Sequence, residues 1–137
     1  MTKEAAIQAY RKHAESLPAL LGMEMDWVGD KAIQVSLKIT HDHLNPAHNA
    51  VHAGSVVALA DTASGWGCIA HLPVNAIGFT TIDLSCNLIG SVTSGRLICK
   101  AQMLHGGRTT QVWDAIISNE AGKRLAAFRC TELILYG

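Results

Sequence analysis

Asp61 is where chemistry in this sequence has to start. Residues 52–70, from His52 to Ala70, form the most apolar long run of the chain, with no Lys, Arg or Glu and with Asp61 as the one formal negative charge. An unpaired carboxylate in such surroundings is costly, so Asp61 must be hydrogen-bonded, paired, shifted in pKa or open to a cleft. A membrane span wants ~20 uninterrupted apolar residues and tolerates a central acid poorly. The run therefore reads as a core helix, apolar on all sides because neighbours cover it. At ~100° per residue, Gly54, Val57, Ala58, Asp61, Ser64, Gly65 and Cys68 share one face, and Leu59, Ala63, Trp66 and Ala70 lie opposite. The small-residue face admits a second helix or a substrate; the bulky face suits a sheet. Ahead of the run, His41, His43, His48 and His52 crowd together, and His48 with His52 has the spacing of metal ligands on a helix. Pro46 denies that stretch a helix, and no metal is expected.

The elements that must position Asp61 follow from the rest of the pattern. The 137 residues fit a single domain over 1–137. A formal net charge of zero and the lack of a Lys/Arg cluster argue against nucleic acid or an electrostatic membrane anchor as partner. Cys68, Cys86, Cys99 and Cys130 stand singly, without a C-x-x-C pair, and read as reduced core cysteines. The N-terminal residues lack a signal-peptide apolar region, so a cytoplasmic location is expected.

Thr2 followed by Lys3-Glu4-Ala5-Ala6 opens a short helix, with Ile7, Tyr10 and Ala14 at helical spacing and a stop near Pro18. Ile33, Val35, Leu37 and Ile39 alternate with Gln34, Ser36 and Lys38, a half-buried strand and the second arm of a hairpin that turns at Gly29-Asp30. Residues 41–51 form a polar loop leading into the apolar helix. Beyond it, Pro73 and Asn75 mark a turn, and four extended segments follow at about 76–90, 96–105, 109–119 and 124–136, separated by glycine-containing breaks. The economical architecture is α+β, one antiparallel sheet wrapped around one long helix.

The run Val51-His52-Ala53-Gly54-Ser55-Val56-Val57-Ala58-Leu59-Ala60-Asp61-Thr62-Ala63 resembles the hotdog-fold thioesterases, specifically the phenylacetate-degradation (PaaI-type) branch, whose signature is His-Gly-Gly followed by Leu-Ala-Asp-Thr-Ala. Gly107-Arg108-Thr109-Thr110-Gln111-Val112-Trp113-Asp114-Ala115 is similar to the Gly-Arg strand of that branch, and Ala127-Phe128-Arg129-Cys130-Thr131 to its closing strand. The resemblance implies a long central helix wrapped by five to six antiparallel strands, assembled as a homodimer at minimum and commonly a homotetramer. It implies hydrolysis of acyl- or aryl-coenzyme A thioesters with no cofactor, coenzyme A being part of the substrate. Two departures stand out. Ala53 replaces the first glycine of the signature, which spares the backbone N–H. Asn45-Pro46 occupies the place of a polar Asn or Gln ahead of the His, making Asn45 the nearest candidate for that contact and His48 the next.

The chemistry that follows is acyl transfer to water. A thioester carbonyl becomes an oxyanion on attack, and preorganised donors stabilise it. Ala53 and Gly54 offer N–H groups at the positive end of the helix, with His52 as either carbonyl donor or helix cap. Asp61 then deprotonates water or attacks the carbonyl itself. Ser64, one turn on, is a candidate to orient water or the acyl group. His105, Gly106, Gly107, Arg108 and Thr109 form a turn suited to the coenzyme A phosphates, with Arg108 as the charge partner. From Gly54 to Asp61 is ~10 Å along the axis, too far for one helix to polarise and attack the same carbonyl. Two composite sites per dimer are expected, with Asp61 from one chain and His52, Ala53 and Gly54 from the other. The alternatives are a hotdog enoyl-CoA hydratase or dehydratase, and a non-catalytic acyl-CoA-binding protein.

Overall fold

In the computed structural model, which describes residues 1–14 and 16–137 apart from the side chains of residues 13 and 14, Ala14 among them, helix α1 spans Lys3–Ala14. Thr2 caps it, its Oγ1 accepting the Ala5 N–H at 3.1 Å. Ile7 is fully buried, and the Tyr10 ring lies 6.2 Å from that of Phe79. Pro18 is not the stop expected of it. It lies in the first turn of a separate short helix, α2 (Leu17–Leu20), where a missing N–H costs nothing.

The expected hairpin forms from β1 (Glu24–Gly29) and β2 (Ala32–Lys38), with Lys31 at φ 56° in the turn. Ile33, Val35 and Leu37 turn into the core as the alternation requires. The segment after β2 is more ordered than a polar loop. It contains a 3-10 turn, His41–His43, whose last residue is buried: His43 Nδ1 accepts the Thr40 N–H at 2.9 Å and Nε2 meets the Leu21 carbonyl at 2.7 Å. His43 is thus a structural anchor tying this loop to the end of α2.

Helix α3 (Ala53–Ala70) is the apolar run, and β3 (Ala76–Leu88), β4 (Arg96–Gly106), β5 (Thr110–Ser118) and β6 (Arg124–Tyr136) follow close to the expected bounds. The six strands form one antiparallel sheet in the order β1-β2-β4-β5-β6-β3. Its inward stripes, including Leu97, Cys99, Ala101, Trp113, Ala115, Ile117 and Phe128, close on Leu59, Ala63 and Trp66 of α3. The sheet wraps the helix in the hotdog arrangement that the resemblance implies. At Gly67 an added Cβ would stand 2.6 Å from Trp113 Cη2, so the indole lies directly on helix backbone.

The small-residue face of α3 is not open along its length. Gly54 is exposed and Val57, Ala58 and Asp61 are partly so, but Ser64, Gly65 and Cys68 are buried. Phe79 of β3 covers Gly65, where a Cβ would come within 2.9 Å of its Cζ. The half of the face from the N-terminus to Asp61 is the more exposed one.

Candidate active site

Asp61 stands at the middle of α3, partly exposed, on the wall of a cavity of about 300 Å3. Tyr10, Leu17, Pro18, Trp66 and Phe79 supply much of the remaining lining, so the carboxylate borders a largely aromatic and apolar space. Thr81 on β3 donates to Asp61 Oδ1 at 3.4 Å. Burial raises the Asp61 carboxyl above the ordinary carboxylate range, and the Thr81 hydrogen bond works against that rise. A carboxylate shifted upward in this way is a stronger base than one on an open surface.

At the helix entry, His52 is the N-cap. Its backbone is extended, its carbonyl accepts the Ser55 N–H at 3.0 Å, and its Nδ1 accepts the Gly54 N–H at 2.7 Å. With Nδ1 as acceptor, the proton of the neutral ring sits on Nε2, which becomes the donor. The three residues expected here do come together, but their donors are redistributed. The Gly54 N–H is engaged by the cap, whereas no hydrogen bond among the described residues takes the Ala53 N–H. His52 Nε2–H and Ala53 N–H are the donors left to meet a carbonyl.

Asn45 serves its own loop. Its Oδ1 accepts the Ala47 N–H at 2.9 Å, an Asx turn built around Pro46, and its main-chain carbonyl accepts from His48 and Asn49. Ser64 is fully buried, and its Oγ has no hydrogen-bond partner by distance and angle among the described residues; it lies beside Cys130 and outside the cavity lining. Ser64, expected as a candidate to orient water or the acyl group, is enclosed within this chain and does not border the cavity.

His105, Gly106, Gly107, Arg108 and Thr109 form the β4–β5 turn, closed by Gly107 N–H to the Thr110 carbonyl at 2.9 Å and held by the Tyr136 hydroxyl donating to the Arg108 carbonyl. His105, Arg108 and Thr109 are exposed. Gln111 Nε2 donates to the His71 carbonyl at 2.9 Å, which ties the start of β5 to the C-terminal end of α3. His52 begins the same helix. One chain therefore does not bring the helix entry and the Arg108 turn to one point.

Two residues absent from the sequence-based set belong to this site. Glu132 on β6 is completely buried; Cys130 Sγ donates to its Oε1 at 3.0 Å, and Thr81 Oγ1 lies 3.1 and 3.0 Å from its two oxygens. Burial raises the Glu132 carboxyl, and the Asp61 charge adds to the rise, against the hydrogen bonds from Cys130 and Thr81. A signal was present in the sequence: Phe128, Cys130, Glu132 and Ile134 share the inward parity of a strand, which puts an acid on the core side. Among the described residues no group of three His, Cys, Asp or Glu side chains could hold a metal, and no helix is long and apolar enough to cross a membrane.

Residues 48–126 match the family model described as the thioesterase superfamily. The chain is 29% identical over 115 residues to 1,4-dihydroxy-2-naphthoyl-CoA hydrolase from Listeria monocytogenes, covering 84% of this chain and 92% of that one. It is 30% identical over 112 residues to the acyl-coenzyme A thioesterase PaaI of Escherichia coli, covering 80% and 75% of the two chains. Among solved structures, a thioesterase from Haemophilus influenzae superposes with a TM-score of 0.87 at 26% identity, covering 99% of this chain and 92% of that one.

Proposed function

This chain belongs to the thioesterase superfamily, and from that premise we infer that it is an enzyme hydrolysing acyl- or aryl-coenzyme A thioesters to the free acid and coenzyme A. The observation that carries the reading is Asp61 itself: a half-buried carboxylate, raised in pKa, on the wall of a cavity lined by Tyr10, Trp66 and Phe79. Those rings suit a flat or medium-sized acyl group, and the Listeria relative is named for a naphthoyl thioester.

In this reading Asp61 acts as general base. It takes a proton from water as the water oxygen attacks the thioester carbon, and returns it to the departing thiolate of coenzyme A. His52 Nε2–H and the Ala53 N–H hold the carbonyl oxygen as it gains charge, with Gly54 fixing the ring that does so. Asn45 keeps the loop ahead of the helix in shape. The exposed Arg108 and the N–H groups of its turn take the coenzyme A phosphates. No cofactor is required for any of these steps.

The separation of these groups supports a site shared between chains. Strand β3 is an edge of the sheet and exposes Ile77, Ile82, Leu84 and Leu88, an apolar edge that calls for a partner. A second copy on that edge gives the homodimer, and two dimers a homotetramer. With the helices antiparallel, the N-terminus of one approaches the Asp61 and Arg108 end of the other. Four unpaired cysteines fit a protein of the reducing cytoplasm.

The deciding experiment is thiol release from a panel of acyl- and aryl-coenzyme A esters, comparing the native protein with Asp61→Ala, both shown to be folded. Turnover by the native enzyme and a loss of ~10²-fold or more in the variant are expected. Hydration of an enoyl thioester, or tight acyl-CoA binding with no thiol released, would replace this reading by a hydratase or a binding protein.

A further inference from the structure

Glu132 and Asp61 are two carboxyl groups that share one hydroxyl. Thr81 Oγ1 stands 3.4 Å from Asp61 Oδ1 and 3.0 Å from Glu132 Oε2. A hydroxyl has a single proton to give. Were both acids ionised, only one of these contacts would be a hydrogen bond, and the other would set oxygen against oxygen beside like charges. Both contacts are satisfied in one way: one acid keeps its proton and donates it to Thr81, and Thr81 donates to the other.

Burial decides which acid that is. Glu132 is completely enclosed, whereas Asp61 opens on the cavity. Among the described residues, the groups facing Glu132 are Asp61 and Cys68 from α3, Tyr10 from α1, Thr81 from β3 and its strand neighbour Cys130, none of them cationic. Gln111, paired with it across β5, has its amide committed to the His71 carbonyl and to the Trp113 indole N–H. Burial raises both carboxyls, and the charge on Asp61 raises Glu132 in addition.

We propose that Glu132 is a positioning residue for Asp61: as a neutral carboxylic acid it donates to Thr81 Oγ1, which turns the Thr81 hydroxyl onto Asp61 Oδ1. The chain Glu132, Thr81, Asp61 fixes the rotamer of the base and leaves Asp61 Oδ2 for water. It also keeps the carboxyl pair at one negative charge while Asp61 works. The inference rests on the thioesterase reading of Asp61.

The test combines infrared spectroscopy with kinetics. The native enzyme at neutral pH is expected to show the carbonyl band of a protonated carboxylic acid, and Glu132→Gln to lack it. In thiol release, Glu132→Leu and Thr81→Val are expected to lower kcat about 10-fold or more with KM little changed, because the base is no longer held. Glu132→Gln, whose amide N–H still donates to Thr81, should recover most of kcat. It should also lose the alkaline fall of the pH profile that the native enzyme shows as Glu132 releases its proton. Should Glu132→Leu fail to fold, Thr81→Val and Glu132→Gln carry the comparison. A native enzyme without the band, or a Glu132→Gln variant as impaired as Thr81→Val, overturns the proposal. The band reports the proton whatever the reaction, so its absence counts against this inference alone, whereas absence of thiol release counts against the reading beneath it.

Discussion

His52 Nδ1 accepts the Gly54 N–H at 2.7 Å, so the cap of the central helix and the proposed carbonyl donor are the same imidazole ring. The two roles separate on substitution. His52→Ser keeps an N-cap oxygen but has no group reaching out to a thioester, whereas His52→Ala loses both. The alanine variant should lose about 1 kcal/mol of stability relative to serine, and both should lose ~10- to 10²-fold in kcat. Urea denaturation beside thiol release measures the split. Full activity in His52→Ser would leave the ring as a cap only.

Asp61→Asn preserves shape and removes the base, and kcat/KM should fall by ~10²-fold or more. The native pH profile should carry the signature of the same carboxylate. Because the ionised form acts and burial raises its pKa, the acid limb of the profile should climb with pH through a midpoint above the ~3.9 of an unperturbed aspartate, ahead of the alkaline fall assigned to Glu132. A midpoint at or below that value would mean that another group controls the acid limb.

Base and nucleophile are distinguished by where oxygen comes from. If Asp61 deprotonates water, a single turnover in ¹⁸O-labelled water should put the label straight into the product acid. An anhydride opened by water at its Asp61 carbonyl would deliver unlabelled oxygen from Asp61 in that first turnover and leave the label on the enzyme. Mass spectrometry of product and protein after substoichiometric substrate reads both. Unlabelled first-turnover product would exclude the general-base step.

The two raised carboxyls also make a stability prediction. Asp61 and Glu132 each bind a proton more tightly in the folded chain than in the unfolded one. That contribution is fully present below their unfolded pKa values and is lost as pH rises through the folded ones. Chemical denaturation of the native protein should therefore show stability declining from the ordinary carboxylate range upward on this account. Glu132→Gln, with one of the two groups made non-titrating, should decline less. An identical pH dependence in the two proteins would mean that Glu132 does not change its proton between the folded and unfolded states.

What could be read from the sequence follows the physics of each signal. Alternation located β2 because every second residue of it faces the core, glycine-containing breaks bounded the strands after α3, and the apolar run located α3 because its neighbours cover much of it. Asp61 was legible as the lone acid of that run. The enclosure of Ser64 was not legible because a helical wheel assigns a face but not where its cover begins, and Phe79 arrives on the neighbouring Gly65 from β3. Glu132 went unread although its parity pointed inward, since its meaning depends on Thr81 arriving from β3 and Asp61 from α3, residues distant in sequence. The engagement of the Gly54 N–H depends on a side-chain rotamer, which residue spacing does not encode.

Separation along α3 gives the sharpest test of how the site is assembled. His52 caps the helix, and Asp61 lies nine residues on, ~13 Å further along the axis. If each site takes Asp61 from one chain and His52 from the other, two inactive variants can repair each other. In a mixed dimer of Asp61→Asn and His52→Ala chains, one site carries both lesions and the other carries neither. Random reassociation makes about half the dimers mixed, each with one sound site of two, so activity should return to about a quarter of the native value. A site formed within one chain predicts no recovery, because every chain in the mixture is damaged. Native mass spectrometry to count mixed dimers, with thiol release on the same sample, decides between the two. Recovery proportional to the mixed fraction establishes the shared site, and its absence at a proven mixed fraction overturns it.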